Sequence, residues 1–257
     1  MNVIVITGAS SGIGREFALQ MDPFFTNIDE FWLVARSEDK LEETAELLRH
    51  RSRVIPMDIT DSRRLDALED MLIEHNAVVR MLINCAGFGL MGDFSEQPAE
   101  NALSMIRLNC EALTEMTHRM IPYMRRNSRI LQLASSAAFL PQPYFAVYAA
   151  TKSYVLSFSR ALNEELKPMG ITVTSVCPGP VDTPFFDIAE QSGTTLKIKK
   201  YVMAYPEQVV AEALRDSYWK RTMSVCSLPI KSFHLLSRAV PHDLIFRAMR
   251  LMKMKGL

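Results

Sequence analysis

Val3-Ile4-Val5-Ile6-Thr7-Gly8-Ala9-Ser10-Ser11-Gly12-Ile13-Gly14 decides the fold of this 257-residue chain. Val3–Thr7 is apolar and β-branched, the composition of a buried strand, and a helix is expected from near Gly12. Glycine is needed where a backbone turns sharply and lies against a pyrophosphate, and the helix N-terminus adds amides and a positive dipole. Gly8, Gly12 and Gly14 follow a G-x-x-x-G-x-G spacing rather than G-x-G-x-x-G, and the bland alternative is a tight turn. Placement directly after a strand favours a dinucleotide site that also uses Ser10, Ser11 and Ile13.

Working outward, short apolar runs alternate with helical segments, the pattern of βαβ units around a parallel sheet. Strands are expected at Phe31–Ala35, Arg53–Pro56, Val79–Asn84, Arg129–Ala134, Thr172–Val176 and Thr222–Ser227. Helices are expected from Glu38 to about Arg49, over Leu65–Glu74, from about Ala99 to Tyr123 and over Tyr148–Leu166. The region after Pro184 is less regular. The expectation is a three-layer, doubly wound α/β fold, one domain over residues 1–257, with a mainly parallel central sheet of about seven strands.

Hydrophobic residues at 48% and charged residues at 23% are ordinary globular values. Twenty-nine basic residues balance twenty-nine acidic ones, so no global charge draws the chain to nucleic acid. Cys85, Cys110, Cys177 and Cys226 are scattered, without Cys-x-x-Cys or metal-ligand spacing, and are expected as free thiols with no metal. A strand at the very N-terminus and the lack of an eighteen-residue apolar run predict a cytoplasmic protein with no membrane span.

Tyr148 and Lys152 stand one helical turn apart and project from one face. An ammonium beside a phenol is expected to lower its pKa, giving an acid–base group suited to a carbonyl or alcohol oxygen. The second strand ends in Ala35-Arg36, with no acid where NAD sites usually carry one. Arg36 therefore suits the 2′-phosphate of NADP(H) better than NAD(H), the competing reading being an ordinary surface charge.

With these motifs assembled, the chain resembles the short-chain dehydrogenase/reductase family of Rossmann oxidoreductases over residues 3 to about 184. Thr7–Gly14 is similar to the family's cofactor loop, and Asp58-Ile59 to the pair that holds the adenine. Asn84-Cys85-Ala86-Gly87 is similar to its Asn-Asn-Ala-Gly element, with Cys85 a departure. Asn109, Ser135, Tyr148 and Lys152 match the catalytic tetrad, with Ser136 the alternative to Ser135. Pro178-Gly179-Pro-Val181-Asp-Thr183 matches the segment that meets the nicotinamide.

The resemblance implies hydride transfer between NADP(H) and a ketone or secondary alcohol. Tyr148 would act as general acid/base, Lys152 would hold the nicotinamide ribose, and Ser135 the carbonyl oxygen. Asn109 would anchor a water leading protons out from Lys152. Phe88, Met91, Phe139, Tyr144, Phe185 and Phe186 are expected to line an apolar substrate pocket, closed by a lid at about 184–203. An apolar ketone fits best, as in a carbonyl reductase or hydroxysteroid-dehydrogenase-like enzyme. A 3-oxoacyl thioester reductase and an NADP(H)-binding regulator are the alternatives. A helical tail at about 232–257 carries a basic amphipathic pattern; packing on its own domain or a sister subunit is preferred to membrane contact. The family implies a homodimer or homotetramer.

Overall fold

Strand β1 (Asn2–Thr7) is buried on both faces. Its residues alternate between two cores, Val3 and Val5 in one and Ile4 and Ile6 in the other. A two-sided core of this kind requires helices on each side of the sheet. The computed structural model describes residues 1–191 and 202–247. Its strands are β1, β2 (Glu30–Ala35), β3 (Arg51–Pro56), β4 (Val78–Asn84), β5 (Met124–Leu133), β6 (Thr172–Val176) and β7 (Met223–Ser224). They form one seven-stranded sheet in the order β3-β2-β1-β4-β5-β6-β7. Every pairing is parallel. The order reverses between β1 and β4, which opens a crevice at their carboxyl ends.

Helices α1 (Gly12–Met21), α2 (Glu38–Ala45) and α3 (Ser62–Glu74) follow the first three strands. Next come α4 (Ala99–Ile106), α5 (Leu113–Met120), α6 (Ala146–Leu166), α7 (Phe185–Ala189), α8 (Pro206–Tyr218) and α9 (Leu228–Ala239). Phe17, Leu41 and Val210 carry α1, α2 and α8 into the core on one side. Leu65, Met116 and Leu162 carry α3, α5 and α6 into the other.

Several boundaries differ from expectation for identifiable reasons. Helix α2 ends at Ala45 rather than near Arg49. Asp22 accepts the backbone N–H groups of both Arg49 and His50, at 3.0 and 2.9 Å, and draws that segment towards the end of α1. The helix expected as one piece from Ala99 to Tyr123 is divided. A stretch of π-type turns, Arg107–Ala112, separates α4 from α5, and a 3₁₀ turn at Ile121–Tyr123 carries Pro122. The last strand has only two residues, while α8 emerges from the region that reads as irregular. Residues 192–201 of the expected lid and 248–257 of the expected tail lie outside the described residues. No helix among the described residues is long and apolar enough to cross a membrane.

Candidate active site

The glycine loop fits the crevice only as glycine. Gly8 and Gly12 adopt φ of +70° and +52°. A Cβ on Gly8 would stand 2.8 Å from the Ala86 nitrogen, and one on Gly14 would stand 2.2 Å from the Gly8 carbonyl oxygen. A Cβ on Gly12 would lie 3.2 Å from Thr183 Cγ2, so the Pro178–Thr183 segment rests directly on the loop. Thr7 Oγ1 accepts from Ala86 N–H at 3.2 Å, tying β1 to the chain after β4. The turn therefore stays open enough for a phosphate to approach backbone N–H groups, which is the cradle a dinucleotide needs.

One cavity of about 960 Å³ joins this loop to three of the tetrad residues, Ser135, Tyr148 and Lys152, and not to Asn109. Gly8, Ser10, Ser11, Gly12, Ile13 and Gly14 line it, as do Arg36, Asp58, Ile59, Ala86 and Gly87. Pro178, Gly179, Val181 and Thr183 form the wall beyond, with Ser135, Tyr148 and Lys152 alongside. Ser37 and Lys40 also line it near Arg36. Lys40 lies in the first turn of α2 directly after Glu38 and Asp39, a charged run whose sequence reads as a solvated helix face.

Tyr148 lies at 7% exposure and Lys152 at 4%, early in the 21-residue helix α6. Lys152 Nζ stands 5.7 Å from the centre of the Tyr148 ring and donates to the Leu133 carbonyl at 2.7 Å. The expected lowering of the phenol pKa is not what this arrangement produces. Burial pushes Tyr148 up to about 12, and the Ser135 hydroxyl, within hydrogen-bonding reach, pulls the other way. The amine is turned to a carbonyl rather than to the phenol oxygen, so desolvation wins. Burial also drives Lys152 down to about 8, with the neighbouring Cys85, Cys110 and Cys177 opposing that drop.

Two tetrad-related residues brace the site from behind. Asn109 is fully buried, held by the π-type turn. Its Nδ2 donates to the Phe88 carbonyl at 2.8 Å and to Thr151 Oγ1 at 3.1 Å, and its Oδ1 accepts from Phe88 N–H at 3.1 Å. The side chain thus clamps the loop after β4, and its amide is committed there. Asn84 does not line the cavity either. It is buried behind the sheet end, donating to Thr117 Oγ1 and Gln132 Oε1, both at 3.0 Å.

The expected substrate residues separate into two groups. Phe88, Phe185 and Phe186 line the cavity. Phe139 does not: it packs on Phe233 and, at 4.4 Å between ring centres, on His234 of α9. Met91 is buried beneath the site among Met105, Phe145 and Tyr148. Tyr144 is exposed and stands at φ +64°. Phe145, unmarked in the sequence, lines the cavity instead, with Leu90, Gln142 and Ile188. On the opposite rim Asn101, Ser104 and Arg107 of the α4 segment reach the same space.

A parallel sheet with a glycine cradle at its switch point and a buried Tyr/Lys pair defines a dinucleotide-dependent oxidoreductase. The short chain dehydrogenase profile matches residues 2–192, and the chain belongs to that family. An uncharacterized oxidoreductase of Staphylococcus epidermidis is 34% identical over 184 residues, covering 71% of this chain and 79% of that protein. Among solved structures, a short-chain dehydrogenase from Sphingobium yanoikuyae in complex with NADPH is similar with a TM-score of 0.78. It shares 28% identity and covers 100% of this chain and 96% of its own. A 3-ketoacyl-(acyl-carrier-protein) reductase from Brucella melitensis complexed with NADH has a TM-score of 0.75 at 25% identity, covering 88% and 96%.

Proposed function

We propose that the protein interconverts an apolar ketone and its secondary alcohol, using NADP(H). The observation that carries this reading is the continuity of the cavity. It runs from the glycine cradle, with Arg36 and Lys40 at one end, to Tyr148 beneath the aromatic walls of Phe88, Phe185 and Phe186. Two cations beside the end of β2 suit a 2′-phosphate, and Ala35 offers no carboxylate for a ribose hydroxyl pair. The walls on the Tyr148 side carry the rings of Phe88, Phe145, Phe185 and Phe186 with Leu90 and Ile188; Ser135, Gln142 and Gln191 are polar groups among them, and Asn101, Ser104 and Arg107 stand at the rim.

The bound nicotinamide supplies or takes the hydride. Ser135 hydrogen-bonds the carbonyl oxygen and stabilises its developing charge. Tyr148, protonated at neutral pH and kept so further into alkali by burial, donates its proton to that oxygen in reduction. Lys152, whose pKa burial lowers to about 8, would restore the proton after turning from the Leu133 carbonyl it faces here, and Asn109 fixes the loop after β4. The reverse direction uses the same groups in the opposite order.

The thioester alternative keeps the same ketone chemistry and differs in the substrate's polar end. Arg107 at the rim is the feature that favours it. NADPH and NADH oxidation, followed with aryl and alkyl ketones and with a 3-oxoacyl thioester, separates the readings. Turnover of simple ketones with NADPH preference supports the proposal. Turnover of the thioester alone, equal use of NADH, or undiminished activity in Tyr148→Phe would overturn the corresponding part. We further propose a homo-oligomer, seated on the apolar groove of Phe94, Ile106, Cys110 and Val147 between α4 and α6. A monomer in light scattering would exclude that.

A further inference from the structure

Tyr148 is gripped more closely than reach to a substrate requires. Phe145 lies stacked on it, with ring centres 4.2 Å apart and 19° between the planes. Phe185 closes from α7 at 5.4 Å and 49°. Beside the stacked pair lies Gly89, which leaves no room for a side chain against either ring. A Cβ there would stand 2.6 Å from Tyr148 Cδ2 and 2.8 Å from Phe145 Cζ. Any side chain at position 89 would push the rings apart.

The delivery of Phe145 is itself unusual. It caps α6 and follows Tyr144, whose φ of +64° is rare for a bulky residue. Strained positions persist where surrounding contacts over-determine them. Here the Tyr144 carbonyl accepts from Gly92 N–H at 2.8 Å, and Met91 N–H donates to the Ala189 carbonyl at 2.8 Å. The segment 89–92 is thus stitched both to the turn that aims Phe145 and to the helix that supplies Phe185. Phe139, six residues earlier, shows that an aromatic in this stretch need not face the site.

We propose that Phe145 is a positioning residue for Tyr148, its ring covering one face of the phenol, with Gly89 setting the spacing of the pair. The proposal rests on Tyr148 being the acid–base residue. Titratable groups stand on several of the elements around Tyr148. Lys152 lies one turn along α6, Cys85 follows β4, Cys177 follows β6 and Asp187 lies on α7. Helix α4 and the π-type stretch, which pack on α6, carry Glu100, Arg107, Cys110 and Glu111, with Glu100 and Arg107 paired to each other. The segment 87–92 contributes none. The shielding by rings dominates the proton affinity of the phenol, in line with burial being the largest influence on it.

The test compares wild type with Phe145→Ala, Phe145→Leu and Gly89→Ala, each with its Tyr148→Phe partner. Tyrosinate absorbance, taken as the difference between each protein and its Tyr148→Phe partner, reports Tyr148 without any substrate. In Phe145→Ala the Tyr148 titration should move down by about one pH unit or more as water reaches the ring. Phe145→Leu, which restores an apolar cover, should recover most of that movement and serves if the alanine variant does not fold. Ketone reduction should fall on the order of 10- to 100-fold in Phe145→Ala and Gly89→Ala, with NADPH affinity near wild type. The alkaline limb of the rate profile should follow the titration; a merely structural loss would lower the rate and leave that limb in place. A folded Phe145→Ala whose titration and alkaline limb both stay put overturns the proposal. A titration that moves, in a protein whose wild type reduces no carbonyl, upholds the shielding and overturns the functional reading instead.

Discussion

Replacing Lys152 with methionine removes a fully enclosed amine whose pKa stands near 8 against an ordinary 10.5. That drop corresponds to about 3 kcal/mol, at roughly 1.36 kcal/mol per pH unit. Folding is disfavoured by this amount wherever the amine is charged in both states, that is, below pH 8. Between 8 and 10.5 the unfolded chain still binds the proton and the folded protein does not, so stability rises with pH. Above 10.5 the amine is neutral in both states and the penalty is gone. Tyr148 acts in a separate window: with its pKa raised, its contribution is fully present below the ordinary tyrosine value of 10 and is lost as pH climbs from there through about 12.

Lys152→Met leaves the Leu133 carbonyl without its donor, a cost that does not vary with pH. The difference in urea-unfolding free energy between variant and wild type, both without nucleotide, should therefore move by about 3 kcal/mol in favour of wild type from pH 7 to pH 10.5. The variant should be catalytically crippled across the whole range. A stability difference that stays flat with pH would refute the reasoning, because it would mean that the amine is not held out of water. The expected outcome is a residue required for turnover that weakens the fold at neutral pH, the usual conflict between stability and activity.

Arg36→Glu should shift the ratio of kcat/KM for NADPH over NADH towards NADH by about 10- to 100-fold, the worth of one charge-assisted hydrogen bond to phosphate. Lys40→Ala should shift it the same way by a smaller factor, and an unchanged ratio in both would remove these cations from the cofactor site. Gly14→Ala should lower stability by about 3 kcal/mol or more in urea titration, since its Cβ overlaps the Gly8 carbonyl and not a movable side chain. Ser135→Ala should reduce kcat by about 10²- to 10³-fold. It should also carry the alkaline limb of the pH profile upward, because that hydroxyl pulls the Tyr148 pKa down; a downward move would contradict the assignment.

The parts of the site legible in the sequence are those whose chemistry admits one residue type. Gly8, Gly12 and Gly14 have no substitutes at their angles and distances, and Tyr148 and Lys152 announce themselves by spacing and by a serine thirteen residues upstream. Strands β1, β2 and β4 are legible because their centres are apolar and buried on both faces. Phe139 and Phe145 look equivalent as letters; the left-handed turn at Tyr144 directly precedes the one that stacks on Tyr148. Lys40 is not legible as a cavity residue because two acids precede it in the first turn of a helix whose sequence reads as solvated. Helix α8 buries Val209, Val210 and Ala213 against the sheet, yet it follows a stretch too irregular in composition to advertise a helix. The direction of the Tyr148 pKa could not be read from spacing either, since desolvation depends on what covers the ring.

The π-type turn at Arg107–Ala112 sets a limit on how this chain can vary in length. Each residue of a regular helix advances the direction of its side chains by about 100°. Deleting one residue between Arg107 and Ala112 would let the segment close into ordinary α-helix, improving its own hydrogen bonds. The six residues of π-type turn sweep nearly the same angle as roughly five of α-helix, so α4 and α5 would keep their faces. Asn109, inside the stretch, would be withdrawn from Phe88, and its clamp on the loop after β4 would be lost. The irregular hydrogen bonding of this stretch is thus tied to the Asn109 clamp, and a deletion there should cost the clamp even as it regularises the helix.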